Sequence, residues 1–477
     1  MNIILKSFDG RYDHLTMERA FRDISVETCI SLNWDLREIP KLNAKEHLLF
    51  NSREYKACRY DGVDWSVIPP LDEEVIEKMR PCEAVFMNMI TRNSLTDIPY
   101  AERRRQYFDH LRYWNHLLDS KKIDLLLLNH PPHQSYDLVI YDLCRLKGIQ
   151  TMLVDRICPG LALVVETWEE SATDLRDLYA KLREEYRDSA KPIPLSSKLE
   201  DYWQGQTVRN DRPWFMYPRQ KHLLKRNFFR KWSGKALEFL YNKPQKFFSV
   251  SLSRDFWRRK LREHRTIVMY DDHAAAPDFS KPYVYIPLQM QPEATTCPQA
   301  SAFVDQEKMV QLLAWHLPKD VLIYIKEHPH QGEQQRSVEL YKKMLDIPAV
   351  RFVPRNTDTF ALAENSIAVA TCTGTAGFEA LFRQKPVFVF GHVFYQYCAG
   401  AHMIHTSEDC RRAVESVVQK KEKPSLRDVR IFLKAIEALS SHFECGPLGP
   451  GEHFTPEEQC DMFGELIAKK IEQVRKK

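Results

Sequence analysis

The sequence predicts an α/β protein of two strand–helix units joined by a basic, aromatic helical segment. Three observations predict it. Continuously apolar runs such as Leu125-Leu126-Leu127-Leu128 and Ile367-Ala368-Val369-Ala370 have the pattern of parallel strands buried on both faces. These runs are followed by polar loops and then by helical spacing, the rhythm of βαβ units. Between the two series, residues 209–265 hold 17 Lys and Arg against 4 Asp and Glu.

In chain order, residues 2–8 read as a strand and 44–50 as either a strand or a helix end. Residues 72–89 and 100–120 have helical spacing, the first broken at Pro81. The strand at 123–129 runs into His130-Pro131-Pro132-His133, a helix at 137–147 ends at Gly148, and 149–154 is the next strand. Residues 167–188 form a charged helix. The second series has strands at 266–270, 283–288, 321–326, 350–353, 366–372 and 386–391, with helices at 305–316, 339–344, 358–365 and 378–383. Thr455-Pro456-Glu457-Glu458 opens a terminal helix. The expected divisions are 1–165, a helical insertion or linker at 166–264, 265–445, and a helix over 446–477 that packs back.

The 477 residues are enough for about two to four domains at roughly 100–200 residues each. An 11% aromatic content excludes a disordered chain, and 15 Gly exclude a collagen-like one. There is no run of 18 apolar residues, and Asp9 comes too early for a signal-peptide core. A cytosolic protein is therefore expected. The eleven cysteines contain no CxxC pair, which fits reduced, mostly buried thiols rather than a zinc or redox motif. The net charge of +4 combines the basic block with an acidic remainder, so the expectation is one basic face and not general polyanion binding. No RRM, KH or helix-turn-helix signature accompanies the charge, so no nucleic acid is expected as partner.

Three strings carry candidate chemistry. In Cys372-Thr373-Gly374-Thr375-Ala376-Gly377-Phe378-Glu379 a strand enters a Gly/Thr turn that opens a helix. Exposed N–H groups there, with the helix dipole, suit an anion, and Glu379 can accept from ribose hydroxyls. An unliganded strand–helix turn explains the same residues. In Lys326-Glu327-His328-Pro329-His330 the cations follow a strand, at the sheet edge where α/β proteins bind ligands, or in a solvated surface loop. The i,i+2 histidines alone do not make a metal site. In Gln289-Met290-Gln291-Pro292-Glu293, Gln291 and Glu293 offer an amide and a carboxylate, the latter a base or nucleophile if it lines a cleft. The strings should converge on one face, because each follows a strand of one sheet.

The strings IPLQMQPEATTCP, LPKDVLIYIKEHPH and TCTGTAGFEALFRQKPVFVFGHVFY, in that order and spacing, resemble the bacterial capsule-polysaccharide synthesis and export family, which includes β-Kdo transferase domains. The resemblance covers about residues 265–400, and more loosely the NHPPH loop with its βαβ unit. It implies a GT-B-like fold: two Rossmann-like domains facing across a cleft, with a C-terminal crossing helix and the sugar nucleotide on the C-terminal domain. It also implies that Lys326, His328 and Pro329 lie near the donor phosphate, that Thr373, Gly374 and Thr375 form the phosphate turn, and that Glu379 is the acidic residue after it. Gln291 and Glu293 match the region of the catalytic carboxylate, where this chain has QPEATT in place of an Asp-containing motif. The implied catalytic pair is Glu293 and His328, with no metal or cofactor and a CMP-sugar as favoured donor.

The expected function is therefore a metal-independent glycosyltransferase of surface-polysaccharide synthesis, moving a sugar such as Kdo to a glycan or lipid-linked acceptor. Its basic block at 209–265 would meet the inner-membrane surface. A sugar-nucleotide 2-epimerase and a non-catalytic export factor are the alternatives. His130 and His133 line the acceptor side in this reading, or only stabilise their loop.

Overall fold

A computed structural model describes residues 1–36, 39–91, 98–157, 160–187, 192–211, 254–291, 293–329, 331, 336–442 and 454–475. Most of the basic block, residues 212–253, lies outside the described residues, as do Pro292 and His330. Two compact units emerge. Unit 1 comprises Met1–Ile90, Pro99–Trp203 and Arg430–Lys477, and unit 2 comprises Thr91–Ile98 and Gln204–Val429.

Unit 1 runs β1 (Asn2–Lys6), α1 (Arg11–Ala20), β2 (Val26–Asn33), β3 (Ala44–Asn51), α2 (Ser52–Lys56), α3 (Glu73–Lys78), α4 (Arg80–Met89), α5 (Tyr100–Ser120), β4 (Leu125–Leu128), α6 (Ser135–Leu146), β5 (Gln150–Ile157), β6 (Leu161–Val165), α7 (Thr173–Glu185) and α8 (Ser197–Gln204). Strands β3-β2-β1-β4-β5 are parallel, and β6 adds antiparallel at the β5 edge. β4 is buried along its whole length, as a central parallel strand requires. β3, at the sheet edge, is half exposed, which explains its ambiguous sequence. Pro81 sits in the first turn of α4, where its missing N–H costs nothing, so the expected break falls between α3 and α4.

Unit 2 runs α9 (Arg254–Asp272), β7 (Tyr283–Pro287), α10 (Gln306–His316), β8 (Leu322–Lys326), α11 (Val338–Leu345), β9 (Val350–Phe352), α12 (Thr359–Asn365), β10 (Ala368–Thr371), α13 (Thr375–Phe382), β11 (Val387–Val389), β12 (Ala401–Met403) and α14 (Ser407–Val414). Its six strands are all parallel, in the order β12-β11-β10-β7-β8-β9. The order turns back between β10 and β7, the switch point of a doubly wound Rossmann sheet. The two Rossmann-like units match the GT-B-like architecture that the resemblance implies. One sheet face packs Val284, Ile286, Ile323 and Ile325 against Met309, Val310, Leu313 and Met344 of α10 and α11.

One expected strand is not a strand, and four strands, β2, β6, β12 and the two-residue Ser441–His442, occur where none is expected. Residues 266–270 form the last turns of α9. Thr266 and Tyr270, four apart, are the buried positions of that stretch, and the Tyr270 hydroxyl donates to the carbonyls of Ile325 and Val353. Tertiary bonds override the β-branched composition there. The longer unexpected strands are β2 and β6. In β2 the polar residues Glu27, Thr28 and Ser31 interrupt the apolar run, although the strand is mostly buried. β6 is a short, fully buried strand that returns antiparallel beside β5.

Past Val429 the chain rejoins unit 1 through the rest of α15 (Leu426–Leu439), β13 (Ser441–His442) and α16 (Pro456–Arg475). Thr455 and Glu458 cap α16 reciprocally, at 3.2 and 2.7 Å. Its apolar stripe, Phe463, Ile467, Ile471 and Val474, enters the core formed by Ile3, Leu5 and Met17. Gly464 permits this approach: a Cβ there would stand 2.6 Å from Arg19 Cβ and 3.0 Å from the Thr16 carbonyl oxygen. Gly464→Ala gains roughly 1 kcal/mol of helix propensity. It must also separate two backbones, at about 1–3 kcal/mol. The expected result is a lower thermal midpoint with α16 detached from α1, read by amide hydrogen exchange. An unchanged midpoint and exchange pattern would show that the contact is not tight.

Candidate functional site

In a doubly wound sheet the crevice lies where the strand order reverses, at the strand carboxyl ends. In unit 2 that is between β7 and β10. The three candidate strings leave β7, β8 and β10 there, and they do converge.

Gln289, two residues past β7, spans the crevice. Its Oε1 accepts from the Thr373 N–H at 3.0 Å, and its Nε2 donates to Thr373 Oγ1 at 3.1 Å. Thr373 Oγ1 donates onward to the Thr295 carbonyl at 2.6 Å. The Gly374 N–H donates to Thr371 Oγ1 at 3.1 Å, and Tyr395 OH donates to the Gly374 carbonyl at 2.6 Å. Gly374 is the N-cap of α13 and brings no side-chain cap. The next N–H groups, of Thr375 and Ala376, have no intrahelical partner by geometry. Thr375 is exposed.

Behind these loops lies a polar network buried from solvent. Arg336 Nε meets Glu327 Oε2 at 2.9 Å, with side-chain exposures of 0% and 4%. Arg336 also donates to Gln291 Oε1, and through Nη2 to the Gln289 carbonyl at 2.8 Å. Tyr341 OH donates to Glu327 Oε2 at 2.5 Å, and the His328 N–H to Glu327 Oε1 at 2.5 Å. Gln306 Nε2 donates to the Gln289 carbonyl and to Gln291 Oε1, at 3.0 and 3.2 Å. Gln331 exchanges two bonds with the Gln291 backbone, both at 2.8 Å. Burial works against the Arg336 charge, but Glu327 outweighs it and holds its pKa above the ordinary value.

The candidate residues therefore fall into different settings. Gln291 is 2% exposed and belongs to the network, with its Nε2 left unpartnered. Lys326 ends β8 and donates to the Thr357 carbonyl and Thr359 Oγ1, at 2.7 and 2.9 Å. His328 and Pro329 follow in a half-buried turn closed by Gln331 N–H onto the His328 carbonyl at 3.0 Å. Glu293 is half buried, and its backbone anchors a turn: its N–H donates to Thr296 Oγ1, and its carbonyl accepts from Thr296 and Cys297. Glu379 is 9% exposed. Burial pushes its carboxyl up to about 7, against Arg383 and a bond from Thr375.

Sequence reasoning does not single out Gln289, Gln306, Gln331, Arg336, Tyr270 or Tyr341. Gln289 lies inside one of the three candidate strings, so its place two residues past a strand is a usable signal. Arg336 follows a polar stretch with no periodicity, and nothing in it marks a buried cation.

At the corresponding edge of unit 1, Lys6 ends β1 and is 1% exposed, with Nζ 3.9 Å from Asp137 Oδ2. Burial lowers the Lys6 pKa and raises that of Asp137 to about 6. Asp137 accepts from the His133 and Gln134 N–H groups, which fixes the His130–His133 loop. Burial drives His130 down to about 3, so it is neutral, and its Nδ1 lies 2.8 Å from the Pro131 carbonyl. Among the described residues no group of three or more His, Cys, Asp or Glu is placed to hold a metal ion, and no helix is long and apolar enough to cross a membrane.

The family described as "Capsule polysaccharide biosynthesis protein" matches residues 250–414, the segment that holds this crevice. The chain is thus a distant match to that family over about a third of its length. No curated protein matches it in sequence. Among solved structures it is similar to KpsC, the β-Kdo 2,7 transferase of Thermosulfurimonas dismutans, at 12% identity over 98% of this chain and 99% of that one, with a TM-score of 0.35. It is similar to the UDP-GlcNAc 2-epimerase of Methanocaldococcus jannaschii at 11% identity over 92% and 100%, TM-score 0.26. For the S. aureus MnaA–UDP structure the values are 10%, over 100% and 97%, and 0.24. The strand orders, not these superpositions, define the fold.

The buried pair and the buried carboxyl each make a prediction. Removing one partner of a buried ion pair costs about 3–5 kcal/mol. Arg336→Met should therefore lower the unfolding midpoint of unit 2 strongly, and the double variant Arg336→Met/Glu327→Gln should recover part of the loss. Equal midpoints for Arg336→Met and the natural chain would refute the network's role. Glu379 makes a pH prediction. Its folded pKa lies above the unfolded one, so its burial is harmless below the ordinary carboxylate range, and stability falls as pH rises toward about 7. Glu379→Gln should remove that slope and stabilise the protein at pH 8 by about 1–3 kcal/mol. Parallel stability curves for the two proteins from pH 4.5 to 8 would contradict the shift.

Proposed function

We propose that the chain is a nucleotide-sugar-processing enzyme of bacterial surface-polysaccharide assembly, with the nucleotide on the carboxyl edge of unit 2. The observation that carries this reading is the convergence of the β7, β8 and β10 loops at a Rossmann switch point, where a Gly/Thr turn opens α13. Thr373, Gly374 and Thr375 shape the phosphate turn. Lys326 and His328 neutralise charge on the leaving phosphate. Pro329 sets that loop, and Gln291 holds the β7 loop from beneath. Glu379 faces the ribose side, and Glu293 is the base or nucleophile. The donor is a nucleotide sugar, with a CMP-sugar such as CMP-Kdo favoured, and no metal takes part.

Two reactions fit this site. Transfer to a glycan or lipid-linked acceptor agrees with the matched family's description. For it, the protein works as a cytoplasmic peripheral enzyme whose 209–265 block meets the inner membrane. Among the described residues of that block, Arg254, Trp257, Arg258, Leu261, Arg262 and Arg265 are exposed at helical spacing along α9. Epimerisation at the sugar C2 needs a proton removed and returned. It is supported by Glu379, a carboxyl that populates both protonation states near neutral pH.

The test is calorimetric titration of the full chain with CMP, UDP and GDP, beside Thr375→Val, at an exposed position. One nucleotide should bind, and the variant should weaken it by about tenfold, a loss of 1.4 kcal/mol. Turnover of the matching nucleotide sugar without acceptor then identifies an epimerase, and turnover only with acceptor identifies a transferase. If none of the three binds, the reading falls and the export-factor alternative takes its place.

A further inference from the structure

Glu379 lies four residues past Thr375, the first residue of α13, which is about 6 Å along the helix axis. Its carboxyl is buried with the residue, and the side chain that bonds it is the Thr375 hydroxyl. Thr375 itself is exposed at the helix start. One hydroxyl therefore stands between a buried carboxyl and the place where the turn meets an anion. Arg383, one turn further on, attracts the carboxylate. Its guanidinium also donates to the Glu379 main-chain carbonyl at 2.8 Å and lies 3.9 Å from the centre of the Phe360 ring. It reaches Glu364 at 3.6 Å and Asn210 at 3.5 Å.

The titratable groups that the neighbouring elements turn toward Glu379 stay neutral. Tyr285 of β7 and Tyr395 beyond β11 both face it, and burial holds their hydroxyls protonated. Burial pushes the Cys372 thiol, beside Tyr395, up to about 12. The remaining charges act at one remove: Asp358 on Tyr285, and Glu364 on Arg383. Against this background desolvation outweighs Arg383, and the Glu379 carboxyl is pushed up to about 7.

The hydrogen-bond arithmetic of this pair depends on one proton. A threonine hydroxyl has a single proton to donate, and lone pairs with which it accepts. Beside an ionised Glu379 that proton is spent on the carboxylate. Beside a protonated Glu379 the bond reverses: the acid donates to Thr375 Oγ1, and the hydroxyl proton turns outward. There it joins the Thr375 and Ala376 N–H groups, which have no intrahelical partner. An anion at this helix start is also a like charge about one turn from Glu379, and it disfavours the ionised carboxyl. Charge and hydrogen bonding thus act in the same direction.

We propose that Glu379 and Thr375 form a proton switch: the nucleotide phosphate binds together with a proton from solvent, which the Glu379 carboxylate takes up, and the Thr375 hydroxyl turns from the carboxylate to the phosphate. The inference rests on the nucleotide reading of unit 2. The test is calorimetry of the full chain with CMP, UDP and GDP at pH 8, in Tris and in HEPES, whose ionisation enthalpies differ. A nucleotide's phosphate is almost fully ionised at that pH, so a proton taken up goes to the protein. The natural chain should take up more than about half a proton per nucleotide, and its affinity should fall as pH rises from 7 to 8.5. Glu379→Gln, whose amide donates to Thr375 as the protonated acid does, should take up none. At pH 8, one unit above the carboxyl, it should bind about tenfold tighter than the natural chain. In a Thr375→Val background the same substitution should gain less, because no hydroxyl is released. Binding without proton uptake, or equal affinities for the natural chain and Glu379→Gln at pH 8, overturns the proposal and leaves the nucleotide reading standing. An equal gain in the Thr375→Val background overturns the part given to the hydroxyl. If none of the three nucleotides binds, both fall.

Discussion

The buried ion pair of Arg336 and Glu327 is the constraint on which the unit 2 crevice depends. A guanidinium without solvent is costly unless its donors are satisfied. Here Nε, Nη1 and Nη2 go to Glu327, Gln291 and the Gln289 carbonyl. Glu327 in turn accepts from Tyr341 and from the His328 N–H. One charge pair thus fixes the β7 loop, the β8 loop and the start of α11 in a single arrangement. Because a partly satisfied buried network is worse than an apolar core, these loops cannot shift independently.

Unit 1 meets the same constraint with different chemistry. Where its sheet reverses order between β1 and β4, the buried cation is Lys6 and the anion Asp137. The pair is longer, at 3.9 Å, and burial pushes both groups toward neutrality. Arg336 stays charged, since guanidinium is always protonated and is more weakly hydrated than ammonium. The two crevices share a topology and differ in electrostatics: the unit 2 crevice keeps a fixed positive charge behind its loops, and the unit 1 crevice a pair that can give up its charge. This difference suits the second unit better to an anion.

Much of this architecture is legible in the sequence. The continuous apolar runs mark the parallel strands, because such strands are buried on both faces and leave a composition signal. Convergence of the three strings follows from each trailing a strand of one sheet. What stays hidden depends on long-range partners. Arg336 sits among polar residues with no period, and its burial comes from Glu327, nine residues earlier on another element. Gln291 reads as a ligand-facing amide and is a buried strut. Residues 266–270 read as a strand for their β-branched residues, and only the Tyr270 hydroxyl bonds show why a helix face is needed.

The occupied hydrogen bonds at the turn bear on how an anion would sit. The Thr373 N–H is taken by Gln289 and the Gly374 N–H by Thr371, so the turn's inner donors are already spent on the protein. The donors open to a ligand begin at Thr375, the first helical residue, with its N–H and that of Ala376, while the Thr375 hydroxyl is bonded to Glu379. Under the nucleotide reading the phosphate is therefore held at the helix start, outside the tight turn, and Gln289 is a strut that keeps the turn open rather than a contact. Tyr395 supports the same geometry from the other side through the Gly374 carbonyl. The two glycines of the string then serve different ends. Gly374 lets the chain pass Thr371, where a Cβ would come within 2.8 Å of Oγ1, and Gly377 lets α13 settle against Tyr395 and Thr371. The motif that reads as a phosphate cradle is, in its inner half, packing that positions the outer half.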